Sequence, residues 1–143
     1  MIYVGIDTGV STGFAIWDKS QKALTEVKTL KIHQAMDRIR ELTAVYLKKE
    51  ICVRVEDPRQ RTWFGTERMT RDEERKKLQG VGSVKRDATI WEEFLTDLGV
   101  EFEMVAPKRN RTKLDQETFV AYTKWKKRTS EHARDAAMLV YGF

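Results

Sequence analysis

A chain of 143 residues with 41% apolar and 34% charged side chains predicts one soluble globular domain spanning 1–143, with a proper core and no room for two. The net charge of +5 points to an acidic partner, nucleic acid most simply, with a basic, well-solvated enzyme as the other reading. A single cysteine rules out an internal disulfide, no apolar run reaches the length of a membrane span, and no signal peptide precedes the first strand, so a cytoplasmic location is expected.

Residues 2–6 read as a buried strand and 13–17 as the strand that pairs back onto it, around a turn rich in Gly, Thr and Ser. Gly9 and Gly13 give this turn backbone freedom and open space, and Asp7 stands at the strand end, facing a small cleft. Residues 23–32 alternate as a third strand, completing an antiparallel meander. Helical spacing of Met36, Ile39, Leu42, Val45 and Tyr46 predicts a helix over 33–49, which crosses back to a short buried parallel strand at 51–55. Cys52 falls inside that run and reads as a small core residue. The strand ends in Glu56-Asp57-Pro58.

A polar segment, 59–77, is expected to be broken at Gly80-Val81-Gly82, with Ser83 capping a helix over 84–98 that Gly99 ends. Trp91 and Phe94 on that helix read as core, with a dimer contact as the alternative. Residues 100–105 form a fifth strand. A basic loop at 108–113 leads to a helix over 114–125, capped by Thr112 or Asp115. A basic turn at 126–128 precedes a last helix, 130–141, with Ser130 as cap. The order βββαβαβαα implies an α/β fold: a mixed five-stranded sheet, three antiparallel strands and then two parallel, with helices on its faces.

Three acidic features sit at element ends. Asp7 closes the first strand, Glu56 closes the fourth, and His132 and Asp135 share one face of the last helix. With the first and fourth strands as parallel neighbours, Asp7 and Glu56 would lie side by side, and two carboxylates that close call for a cation. Hard oxygen ligands without thiolate favour Mg²⁺ or Mn²⁺. Two such ions about 3.5–4 Å apart would clamp the attacking and leaving oxygens of a phosphodiester, with His132 binding metal, placing water or stabilising the transition state. Each residue also has an ordinary explanation: an Asx turn for Asp7, a solvated strand end for Glu56, a first-turn acid for Asp135, a surface position for His132.

The run Gly5-Ile6-Asp7-Thr8-Gly9, followed by Thr12-Gly13-Phe14-Ala15, resembles the N-terminal motif of the RuvC-type Holliday junction resolvases of the RNase H-like superfamily. Val55-Glu56 is similar to their second acidic strand end, and His132-Ala133-Arg134-Asp135-Ala136-Ala137 to their C-terminal motif. The element order agrees over essentially the whole chain. The resemblance implies an RNase H-like fold, Mg²⁺-dependent cleavage of four-way DNA junctions by a homodimer, and Asp7, Glu56, His132 and Asp135 as catalytic metal ligands. Pro58 and 59–77 depart from the pattern. The chain is also shorter than a typical bacterial resolvase, which suits a phage or mobile-element version.

Lys108, Arg109, Arg111, Lys113, Lys124, Lys126, Lys127 and Arg128 bracket the last two helices against only Asp115 and Glu117, a surface suited to phosphates. Lys113 resembles a phosphate-binding lysine of that family. Arg59, Arg61, Arg68 and Arg71 surround Trp63 and Phe64, an arrangement suited to stacking on unpaired bases or, alternatively, to packing on the sheet or a dimer partner. The rival readings are another RNase H-like nuclease acting on RNA–DNA hybrids or repair intermediates, a non-catalytic DNA-binding scaffold, and an actin-like phosphate-binding domain. The last would need a second Asp-x-Gly hairpin that this chain lacks.

Overall fold

Alternation along the first strand decides what each face of the sheet carries. In β1 (Ile2–Asp7), Ile2, Val4 and Ile6 point to one face and Tyr3, Gly5 and Asp7 to the other. The computed structural model describes residues 1–60, 71–107 and 114–143, with the side chains at 72, 74–81 and 84 also outside the description. Within it, β1 pairs antiparallel with β2 (Ser11–Asp18), which pairs antiparallel with β3 (Ala23–Lys31). On its other side β1 pairs parallel with β4 (Ile51–Glu56), and β4 with β5 (Glu101–Val105), giving the order β3-β2-β1-β4-β5. The mixed sheet expected from the element order is therefore present.

The face bearing Ile2, Val4, Ile6, Phe14, Ile16, Ile51, Val53 and Val55 holds the larger core. Two helices cover it. Helix α1 (Ile32–Val45) contributes Ala35, Ile39 and Leu42, and α2 (Arg71–Leu98) contributes Trp91 and Leu95. Trp91 is fully buried and meets Phe94 edge-on at 5.8 Å, which makes it a core residue. The opposite face carries small residues, Gly5, Gly13 and Ala15. Helix α4 (Glu131–Val140) lies directly on it through Ala133, Ala136 and Ala137, joined by Phe119 of α3 (Gln116–Thr123). Helices thus occupy both faces.

Several boundaries differ from the sequence reading. Helix α1 stops at Val45 rather than 49, because Tyr46 turns extended and a short 3-10 turn, Lys48–Glu50, aims the chain at β4. Helix α2 runs unbroken through Gly80 and Gly82, so Ser83 is an interior residue and not a cap. A helical glycine costs only about 1 kcal/mol relative to alanine, and the anchored half beyond Ala88 carries the helix across it. Helix α3 is shorter than 114–125. Asp115 caps it by accepting from the Thr118 N–H at 2.7 Å, and Lys124 ends it in the left-handed region at φ 65°. Ser130 caps α4 as expected, accepting from the Ala133 N–H at 3.1 Å. Cys52 is half-buried on the α4 side of β4 rather than in the core, and burial pushes its thiol pKa up.

Candidate metal and nuclease site

The site lies at the C-terminal ends of β1 and β4, on the face that α4 covers. Parallel pairing puts Asp7 directly opposite Glu56, and alternation sends both side chains to the same face. Neighbouring strands are about 4.8 Å apart, so the two carboxylates share one small space. The third member comes from α4: His132 Nδ1 stands 3.0 Å from Asp7 Oδ2. Asp7 is largely buried there, while the His132 side chain is 48% exposed. Asp135 follows one helical turn later on α4 and is half-buried.

Close backbone approach makes this delivery possible. A Cβ on Gly13 would stand 1.9 Å from the His132 carbonyl oxygen and 3.0 Å from Asp7 Cβ, and one on Gly5 would stand 2.1 Å from the Ala136 carbonyl oxygen. The space at Gly13 is thus filled by α4, which corrects the expectation that this glycine keeps the cleft open. The missed signal was two small-residue sets, Gly5/Gly13/Ala15 and Ala133/Ala136/Ala137, at strand and helix periods that only match once α4 is laid on the sheet.

The turn between β1 and β2 is fixed by two threonines. Thr12 Oγ1 donates to the Gly9 carbonyl at 2.8 Å, and Thr8 Oγ1 donates to the Glu56 carbonyl at 3.2 Å, tying the two strand ends together. Asp57, the other acid after β4, is turned inward and buried. Its carboxylate accepts from the Arg59 guanidinium at 2.8 Å and 2.9 Å and from Gln60 at 3.2 Å. Burial pushes its carboxyl up, the Arg59 and Gln60 bonds pull it down, and the net position is below the usual range. Arg59 also reaches Glu92 at 3.1 Å and Thr89 at 3.2 Å. Its guanidinium thereby joins β4 and α2 while the side chain stays 27% exposed.

Of the expected basic surface, Lys124, Lys126, Lys127 and Arg128 lie exposed on the segment that leads into α4. Arg71 begins α2, exposed. Arg61, Trp63, Phe64, Arg68, Lys108, Arg109, Arg111 and Lys113 lie outside the described residues. A cleft of about 280 Å³ bounded by Ile2, Asp18, Glu26, Arg38 and Tyr46 sits at the opposite end of the strands from Asp7, with Glu26 already paired to Arg38 and Lys28. It takes no part in this site.

Among the described residues, no three of the His, Cys, Asp and Glu side chains are gathered into a finished metal-ligand set. What is assembled is the Asp7–His132 pair with Glu56 in the adjacent register position. Asp7, Glu56, Asp135 and His132, with no thiolate among them, are residue types suited to a hard divalent cation. Neither protein-family models nor curated protein sequences match the chain.

Proposed function

We propose that this chain is a metal-dependent endonuclease selective for branched DNA, with the four-way junction as substrate and an RNase H-like fold as its frame. One observation carries the reading. Asp7 and Glu56 end neighbouring parallel strands on one face, and α4 brings His132 to within 3.0 Å of Asp7. The motifs that resemble the RuvC-type resolvases contain these same residues.

Asp7, Glu56, His132 and Asp135 would hold Mg²⁺, with Mn²⁺ able to substitute. Two bound ions would supply a water of lowered pKa and neutralise charge on the departing oxygen. The chain's own groups have separate tasks. The hydrogen bond between Asp7 and His132 Nδ1 orients the ring and leaves Nε2 to bind metal or to place the water. The exposed cations at 124–128 lie just upstream of α4, where they would neutralise the phosphates flanking the scissile bond. A four-way junction offers two equivalent strands, so the reading includes a two-fold homodimer that makes paired cuts.

The test compares wild type and Asp7→Asn on a four-way junction, a linear duplex and an RNA–DNA hybrid, with Mg²⁺ and with chelator. Symmetric nicks confined to the junction, dependent on Mg²⁺ and lost in Asp7→Asn while binding persists, are expected. Preferential cutting of the hybrid would move the chain to another RNase H-like activity, and an unaffected Asp7→Asn would remove the nuclease assignment altogether.

A further inference from the structure

Lys124, Lys126, Lys127 and Arg128 fall within five positions, all exposed, and no ion pair involves them among the described residues. Like charges on long side chains repel one another and favour no fixed arrangement. The backbone beneath them is nevertheless held at nearly every second residue. The Trp125 N–H donates to Thr123 Oγ1 at 3.2 Å. Gln116 Nε2 donates to the Lys127 carbonyl at 3.3 Å, and Gln116 Oε1 accepts from the Thr129 N–H at 2.8 Å and the Thr129 hydroxyl at 2.6 Å. From the other side, Arg134 Nη1 donates to the Thr129 carbonyl at 2.8 Å, and its Nε donates to the Leu114 carbonyl at 2.8 Å. Ser130 bonds Thr29 of β3 while capping α4.

Arg134 sits on α4 between His132 and Asp135. One helix therefore presents His132 to Asp7 and, through a guanidinium fork, holds Thr129, the residue that follows the basic segment, against Leu114. We propose that Gln116 and Arg134 are positioning residues that clamp residues 124–128 at a fixed distance from Asp7 and His132, and so set which phosphodiester along a bound DNA strand is cut. This rests on the nuclease reading above. Neither residue needs to touch DNA. The cations supply affinity, which carries no positional information, and the clamp converts that affinity into register.

The two contributions separate experimentally on the full chain with Mg²⁺ and a four-way junction, cut positions being mapped to single nucleotides. Gln116→Ala keeps every charge, so junction affinity and its salt slope should stay at wild-type values. Cleavage at saturating enzyme should fall at least tenfold, and the cuts should spread to neighbouring phosphodiesters. Arg134→Lys, which keeps the charge but loses the fork, should give the same pattern. A combined Lys126→Ala, Lys127→Ala, Arg128→Ala variant should do the reverse. Its salt slope should fall by up to about 0.9 for each phosphate no longer neutralised, with the cut positions unmoved at saturation. Thermal melts show that each variant is folded at the assay temperature. Unshifted cut positions in both Gln116→Ala and Arg134→Lys, whatever their rate, would overturn the clamp while leaving the nuclease reading intact. A wild-type chain that fails to nick branched DNA would overturn both.

Discussion

Replacing Gly13 with alanine probes the contact that brings α4 to the strand ends. The added Cβ would stand 1.9 Å from the His132 carbonyl oxygen, where even a very tight contact requires 3.0 Å, and 2.5 Å from the His132 carbonyl carbon. The obstacle is backbone, so no rotamer change relieves it, and the helix end must retreat by at least 1.1 Å, the difference between 3.0 and 1.9 Å. The Asp7–His132 bond, now 3.0 Å, would open beyond hydrogen-bonding reach if the retreat is along it. Overpacking of this kind costs roughly 1–3 kcal/mol. A rigid backbone obstacle places Gly13 near the upper figure, which in a chain of this size is roughly 10 °C in Tm. A displacement of about 1 Å at a catalytic group costs on the order of 100-fold in rate. Differential scanning calorimetry reads the first quantity, and single-turnover nicking of a junction reads the second. A Gly13→Ala chain that melts within about 1 °C of wild type would refute the close packing of α4 on β2, and with it the route by which His132 reaches Asp7.

Gly82 offers the converse, because an added Cβ meets nothing within 4 Å among the described residues on a continuous helix. Gly82→Ala should stabilise by roughly 0.5–1 kcal/mol, visible as a higher urea midpoint, and a lower midpoint would argue for a break in α2. Arg59→Ala should leave the buried Asp57 carboxylate without its main partner and cost about 3 kcal/mol in urea unfolding, with the salt slope of DNA binding unchanged; a reduced slope would return Arg59 to the DNA surface. Burial opposes ionisation of Asp57 and Glu26, yet Arg59 with Gln60, and Arg38 with Lys28, hold both carboxyls below their ordinary values. Groups depressed in the folded state stabilise it above their unfolded pKa and lose that contribution as pH falls through the folded value. The urea midpoint should therefore be level from pH 7 to about 5 and fall below about pH 4, and a midpoint that rises on acidification would contradict the pairing.

Much of the sheet was legible because its determinants are local. The period-two run from Ile2 to Asp7, the turn residues Thr8–Gly13 and the β-branched run ending at Glu56 report their own conformation. Chain order then leaves few ways to pair them. Asp7 and Glu56 became candidates for the same reason, since each marks the end of a recognisable strand. The reading failed where competing local signals had to be weighed by distant packing. Gly80 and Gly82 look like a helix break, but Trp91 and Leu95 anchor α2 in the core and the helix continues through them. Glu56-Asp57-Pro58 looks like a solvated strand end, but Asp57 turns inward and is buried against Arg59, which α2 meets with Glu92.

By itself the sequence determined the strands, the helix cap at Ser130, and which carboxylates end on which elements, because these follow from short-range periodicity and hydrogen bonding. Only the tertiary structure decided that Gly13 is a docking surface and not an opening, and that Arg134 donates to the carbonyls of Leu114 and Thr129. The first depends on α4 lying against β1 and β2, more than a hundred residues away along the chain. Proximity across that separation comes from matching two small-residue faces, a property of the packed pair that neither segment expresses alone.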